Sequence, residues 1–461
     1  MRRFAMGLCV VAAVAMASVA AADDDVTQKH PFFPSLLNTT TGKPVKSTDF
    51  YPPSKCKGCH AEIYDQWKGS MHSNAYRDPV FQALWKLANK ETGGLTDKLC
   101  VGCHTAVGTV SEEVRMGEDG EFHVSEIAEE GVQCHLCHSV VDTRMNETPT
   151  NMPQNASIVV DPGLVMRGPY KDAKPMWHKA EYSELHTKAE FCGNCHNVFH
   201  PLNNFHIENT YNEWKFSVYA QKGIVCQDCH MMPVEKAIEV ARTLEKPKNP
   251  GKASPMGPDR DNVFTHEFVG GNFTVTALLG ADKHAEIAKK RLQSAAELEL
   301  KLPEEADDGD IARITVRVHN VGAGHNLPTS LTEVREMWLD VKVTDATGRE
   351  LYRSGALDKD YNLTEGTVKF YTPAVDEKGN YTVKPWEVVR FNYNSTIPPK
   401  GYADREFAFL VPDDAKGPLK VEVKLRYRSF PQALANQLLG ENAPILPIVD
   451  MAKAEGVVPV D

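Results

Sequence analysis

The chain has 461 residues, 42% hydrophobic and 25% charged, an ordinary globular composition with room for two or three domains. Its formal charge of −11 argues against nucleic-acid binding, which needs a basic footprint. The same sign suits solubility and basic partners.

Residues 1–22 read as a secretory leader. Arg2 and Arg3 give a positive start, Gly7 to Val19 an apolar stretch, and Ala20-Ala21-Ala22 an A-x-A cleavage site before Asp23. The apolar run falls short of the roughly 20 residues that a membrane span needs. Cys9 lies inside that run and is not read as a lipid-bearing cysteine. No later segment reads as a span, so the expectation is an exported mature chain without a transmembrane segment, in the periplasm or at the outer cell surface.

Residues 23–299 read as one mainly helical, loop-rich region. "AEIYDQWKGSMH" and "DPVFQALWKLANK" carry helical periodicity, and the first places His72 on a helix. "TPTNMPQNASIVVDPGLVMRGPYKDAKPM" reads as loop. His178 and His186 follow, eight residues apart, a spacing that would put both on one side of a helix. "EWKFSVYAQKG" is helical and ends at Gly223, and "EKPKNPGKASPMGPDRDN" (245–262) reads as a linker. A helix around 278–296 carries His284, expected on an exposed face. The period then changes to two. "ARITVRVHN", "EMWLDVKVTDATGRELY", "EVVRFNYN", "REFAFLVP" and "LKVEVKLRYR" alternate apolar and polar residues between turns, which predicts an antiparallel β-sandwich domain over 300–430. Residues 431–461 read as a C-terminal tail. The predicted fold class is multidomain, a helical domain followed by a sandwich.

Apart from Cys9, every cysteine lies in one of five motifs: "CKGCH" (Cys56, Cys59, His60), "CVGCH" (Cys100, Cys103, His104), "CHLCH" (Cys134, Cys137, His138), "CGNCH" (Cys192, Cys195, His196) and "CQDCH" (Cys226, Cys229, His230). C-x-x-C-H is the attachment signature of c-type haem. Two thiols add to the two vinyl groups of one porphyrin, and the next residue offers its imidazole to the iron. Zinc would not require histidine at one offset five times in five. A thioredoxin-like dithiol lacks its βαβ context here. Structural disulfides explain the even count but not the histidines. Five covalently attached haem c groups are therefore expected. In this reading the porphyrins, rather than aliphatic side chains, form the core of the region. Cys100 to Cys134 and Cys192 to Cys226 both span 34 residues, a hint of paired haem units.

Seventeen histidines less five proximal ligands leave twelve for at most five distal sites. The candidates are His72, His178, His186, His266 and His325, the last in a loop where Gly322, Gly324 and Pro328 could approach a porphyrin edge. His135 lies between two thioether cysteines and points away from its own iron. His200 and His206 suit roles that orient a ligand or cap a turn, and His319 points outward from a strand.

"CKGCHAEIYDQWKGSMHSNAYRDP", "EEGVQCHLCHSV", "EFCGNCHNVFHP", "TYNEWKFSVYAQKGIVCQDCHM" and "GAGHNLPTSLTEVREMWLDV" resemble the multihaem c-type cytochromes of metal-, sulfur- and nitrogen-respiring bacteria. Within these the chain looks like the branch similar to the tetrahaem electron carrier of ammonia oxidisers. The resemblance covers roughly residues 50–345. It implies bis-histidine haems, favours His72 as a distal ligand, and implies respiratory electron transfer. "CHLCH" departs from the resemblance, in which an acidic residue often stands at the position of His135. An electron carrier is the first reading, with other cytochromes or membrane quinol-linked complexes as redox partners and no nucleic acid. A multihaem reductase would need one haem with an open distal position. The pentahaem nitrite reductases use a lysine-ligated catalytic haem, whereas all five motifs here end in histidine. A third reading is a subunit of an oligomer or extracellular cytochrome assembly.

Overall fold

Asp78 accepts from the N–H groups of Val80 and Phe81, Pro79 takes the first helical position, and Gly93 stops the chain at φ 63°. These devices cap the helix Pro79–Thr92 at both ends. It is one of two long helices in a computed structural model that describes residues 31–461. The leader expected at 1–22 and His30 lie outside the described residues. The second long helix, Asp282–Ala295, buries His284, Ala285, Ala288, Leu292 and Ala295. His284 is thus on the buried face, not the exposed one expected, because the i, i+4 spacing places it on the stripe of Ala288 and Leu292.

The remaining helices of the first region are short. "EWKFSVYAQKG" is not continuous: Thr210–Lys215 ends at Phe216, and Val218–Gln221 restarts with Ser217 accepting from Tyr219 and Ala220. Serine competes for its own backbone donors and so resets the helix. The region also has an apolar core of its own among the described residues, which the expectation of a porphyrin core did not include. Phe32, Leu37, Phe50, Val107, Val110, Leu136, Val140, Ile158 and Val160 are buried together.

The linker expected at 245–262 folds back on itself through bridges Asn249–Asn262 and Gly251–Arg260. Beyond it two antiparallel sheets enclose one core. The first pairs Ala296–Lys301, Ile311–Asn320 and Tyr402–Leu410. The second runs Glu350–Ser354, Glu336–Thr344, Leu419–Arg428 and Val449–Val458, with Lys369–Phe370 on a branch. Ile314, Val316, Val318, Phe407 and Phe409 face Met337, Leu339, Val341, Val421, Val423 and Leu425 in that core, the inward sets that period two requires. Residues 431–461 are no tail. Gln432–Leu439 is a helix, and Val449–Val458 pairs with Leu419–Arg428 along its length, burying Val449, Met451 and Val458.

Candidate haem-binding site

All five motifs adopt helical turns. The N–H of His60, His196 and His230 donates to the carbonyl of Cys56, Cys192 and Cys226 at 2.8, 3.0 and 2.9 Å. Cys100–His104 closes the helix Asp97–His104, and Cys134–His138 is itself a helix. On a helical turn, residues i, i+3 and i+4 share one face, so both thiols and the imidazole of a motif present together. The ten motif cysteines line a single cavity of about 1840 Å³, beyond the roughly 300–1,000 Å³ of a site for one ligand.

Four of the five proximal rings are oriented by backbone carbonyls. Nδ1 of His60, His104, His138 and His230 lies 2.7, 2.8, 2.6 and 3.0 Å from the carbonyls of Ala253, Ala75, Arg167 and Val269. A carbonyl only accepts, so Nδ1 carries the proton and Nε2 keeps its lone pair, the tautomer a metal needs. Burial drives the ring pKa values down, to about 4 for His104 and about 3 for His230, and lowers His138 and His196 as well. Neutral imidazole is the ligating form.

Metal–imidazole bonds of about 2 Å put two ring centres on one metal about 6 Å apart. His72 lies 6.3 Å from His196 with planes 28° apart, and His325 lies 6.2 Å from His230 at 13°. His138 has two neighbours: His266 at 6.5 Å and His186 at 5.8 Å. They differ in their hydrogen bonds. His266 donates from Nδ1 to the Phe264 carbonyl, leaving Nε2 free. His186 spends Nε2 on the Cys137 carbonyl, and its buried Nδ1 has no partner. Burial lowers His72, His186 and His266 to about 3. His178 lines the cavity and donates from Nδ1 to the Lys179 carbonyl. The described ring contacts give neither His60 nor His104 an imidazole neighbour. The ring against His104 is Phe81, at 3.7 Å and parallel.

Two helical placements expected from the sequence are corrected. His72 sits in a turn after the helix Ala61–Trp67. Gly131, at φ 63°, passes so close that a Cβ would stand 2.6 Å from the His72 carbonyl, which accepts from the Val132 N–H at 2.9 Å. His178 precedes the strand Lys179–Tyr182 and His186 lies in the 3-10 turn Glu184–Thr187, so no shared helix carries them. His135 is buried, stacked 5.0 Å from Tyr51, and its Nδ1 accepts from the Tyr51 N–H at 2.6 Å. His200 accepts from Leu202 and Asn203 at Nδ1 and so caps a turn. His284 donates from Nε2 to the Gln66 carbonyl at 2.7 Å.

Thiols of different motifs are neighbours. Hydrogen bonding couples Cys56 to Cys134, Cys103 to Cys195 and Cys192 to Cys226; it lowers Cys56 and raises Cys134, Cys103 and Cys192. The third motif also approaches the fourth, since Cys195 acts electrostatically on Cys137. The contacts join motifs 1 and 3, 2 and 4, and 4 and 5, while motifs 3 and 4 act on each other electrostatically. The 34-residue spacing therefore marks neighbours for motifs 4 and 5, while motif 3 has its thiol contact with motif 1.

Sequence reading missed a carboxylate chain beside the cavity. Glu208 is hydrogen-bonded to Thr210, Thr210 to Thr329 at 2.8 Å, and Thr329 to Glu213 at 2.6 Å, while Glu213 also accepts from the Asn326 N–H at 3.1 Å; two hydroxyl protons serve three bonds, so a protonated carboxyl supplies the third. Burial pushes Glu208 up to about 8 and Glu213 to about 7. The chain ties residues 208–213 to the loop that carries His325. Paired thiols, neutral buried imidazoles and a large shared cavity fit haem c, which supplies one-electron iron chemistry when bound.

Comparisons with known proteins agree with this chemistry. Residues 55–139 match the family described as cytochrome c554 and c-prime. The fold resembles that of a penta-heme cytochrome c552 from Thermochromatium tepidum, at 16% identity over 89% of this chain and 99% of that one, with a TM-score of 0.58. The CARDB domain of a Pyrococcus furiosus protein and a cohesin module from Clostridium perfringens each align with 36% of this chain, at 14% and 7% identity, and cover 87% and 97% of their own chains. Their TM-scores are both 0.18. The search of curated proteins finds no match. The matched segment spans the first three C-x-x-C-H motifs, and the structural likeness is one of fold.

Proposed function

We propose that the protein is an exported electron carrier in respiratory electron transfer, holding five haem c groups, most of them bis-histidine. The observation that carries this reading is the single cavity reached by all ten motif thiols, with thiols of successive sites in contact. Those contacts, with the electrostatic influence of Cys195 on Cys137, suit an order of sites 1, 3 and 4 in line, with 2 and 5 both beside 4. His196 pairs with His72, His230 with His325 and His138 with His266, and His178 is the candidate for the first site. Other cytochromes or membrane quinol-linked complexes are the partners in this reading, in the periplasm or at the cell surface, with oligomeric or surface assembly open to the chain. Among the described residues no helix is long and apolar enough to cross a membrane.

One observation favours a second reading. His104 has Phe81 rather than an imidazole as its ring neighbour, so the second site is where a reductase would keep an open position. Electron paramagnetic resonance of the oxidised protein, with haem counted by intact mass, separates the two. Five haems that are all low-spin support the carrier. A high-spin ferric signal lost in a His104 variant would transfer the case to the reductase. Fewer than five haems would remove the five-site reading.

A further inference from the structure

His60 donates to the carbonyl of Ala253, so the first site lies directly under the folded-back loop 246–262. A second loop, 168–179, closes beside it. Tyr170 donates to the Asn262 carbonyl at 2.9 Å, and Arg260 pairs with Asp172 at 2.5 Å while stacking on Tyr170. The two loops form one surface. Met176, Trp177 and Met256 line the cavity, yet they are 73, 77 and 67% exposed. Large apolar groups this exposed mark interaction sites when they gather.

The charge around them runs against the chain as a whole. Segments 55–68, 171–179 and 246–261 hold ten lysines and arginines against five acidic residues. The whole chain carries 51 basic and 62 acidic residues. Lys171, Lys174 and Lys252 are exposed at the rim. A basic rim around a small apolar centre has the anatomy of a transient protein interface. It steers an acidic partner, and charge of this kind acts mainly on the association rate. An anionic membrane fits less well. The apolar residues sit on loops broken by Pro169, Pro175, Pro255 and Pro258, not on the amphipathic helix that typifies interfacial binding.

We propose that the loops 168–179 and 246–262 form the port at which an acidic electron-carrier protein docks over the site of His60. This rests on the electron-carrier reading above. In the exchange one electron leaves the carrier, which is oxidised, and one ferric iron becomes ferrous, with no bond made or broken.

The test uses the holoprotein and a reduced acidic flavodoxin as probe. Stopped-flow rates and carbodiimide cross-links mapped by mass spectrometry are the readouts. The double variant Lys171→Glu/Lys174→Glu is expected to slow reduction about tenfold at low salt, and the salt dependence is expected to flatten. The distant pair Lys359→Glu/Lys378→Glu is expected to leave the rate unchanged. Cross-links should fall on Lys171, Lys174 or Lys252. Equal slowing by both pairs, or cross-links confined to other lysines, would overturn the proposal. So would preferential binding of the port to phosphatidylglycerol vesicles, or self-association that the first double variant abolishes. A protein lacking haem c absorbance would instead refute the carrier reading. Full haem content with an unaffected rate would refute only the port.

Discussion

At the scale of single residues, the chemistry at His138 turns on which ring nitrogen is spoken for. His186 is the nearer imidazole, yet its Nε2 is committed to the Cys137 carbonyl; His266 is farther, with Nε2 free. Each ring keeps one unprotonated nitrogen, Nδ1 on His186 and Nε2 on His266; the latter is the same nitrogen that Nδ1–H donation leaves free on His138, which favours His266 at 6.5 Å over His186 at 5.8 Å. His266→Ala is therefore expected to convert one low-spin haem to high-spin. His186→Ala should leave every haem low-spin and cost about 1–3 kcal/mol through the unpaired Cys137 carbonyl. Electron paramagnetic resonance and urea unfolding read the two effects; a high-spin signal in the His186 variant alone would reverse the assignment. This is also where sequence reading stops. Thioether chemistry requires its three residues within five positions, so each motif is local and visible. A distal imidazole arrives through tertiary structure and carries no spacing. His72 was found beside its motif, but its turn depends on Gly131, 59 residues on. The carbonyls of Ala75, Arg167, Ala253 and Val269 belong to the backbone, which no side chain announces.

At the scale of elements, the helix Thr210–Lys215 is fastened to the loop after the strand Ile311–Asn320 by the chain of Glu208, Thr210, Thr329 and Glu213. Glu213 is neutral until about pH 7 in the folded protein, against 4.5 when unperturbed. The unfolded chain thus gives up this proton first as pH rises. Stability from the group is fully present below pH 4.5 and is lost through pH 7, by up to about 3 kcal/mol. Glu208 extends the loss towards pH 8. Glu213→Gln keeps an acceptor for Thr329 and should flatten its share of the profile in urea titrations between pH 4.5 and 8. An unchanged slope would mean that Glu213 is ionised in the fold. The strand Val449–Val458 makes a second case. Alternation at Val449 and Met451 was legible, but Ala452, Ala454 and Gly456 weaken the pattern, and the sequence reading stopped at 430. Ending the chain at Pro447 removes Val449, Met451 and Val458 from the core. At about 1.5–3 kcal/mol for each large side chain, the loss rivals the roughly 5–15 kcal/mol that holds a domain together. The truncated protein should lose protease resistance in the β region, checked by limited trypsinolysis.

At the scale of the whole molecule, the β region is more than an appendage, because His325 leaves it to stand 6.2 Å from His230. The loop reaches there for two physical reasons. At Gly322 a Cβ would run into the Ser294 carbonyl, so the chain lies flush on the end of the helix Asp282–Ala295. Asn320 then donates to the carbonyls of His325 and Ile397, at 2.9 and 3.1 Å, and holds the loop to the sheet. In the pairing proposed above, a haem bound there would be held by one histidine from each region, and its potential would report their contact. His325→Met replaces an imidazole by a thioether, which raises the potential of the haem it serves. A spectroelectrochemical titration of the full chain should show one of five one-electron components moved upward and four in place. His325→Ala should instead leave that component five-coordinate and high-spin, with the other four unchanged, because no other imidazole is in ring contact with His230 among the described residues. Five unmoved potentials in the methionine variant would break the pairing with His230, and with it the reading that the β region supplies a haem ligand.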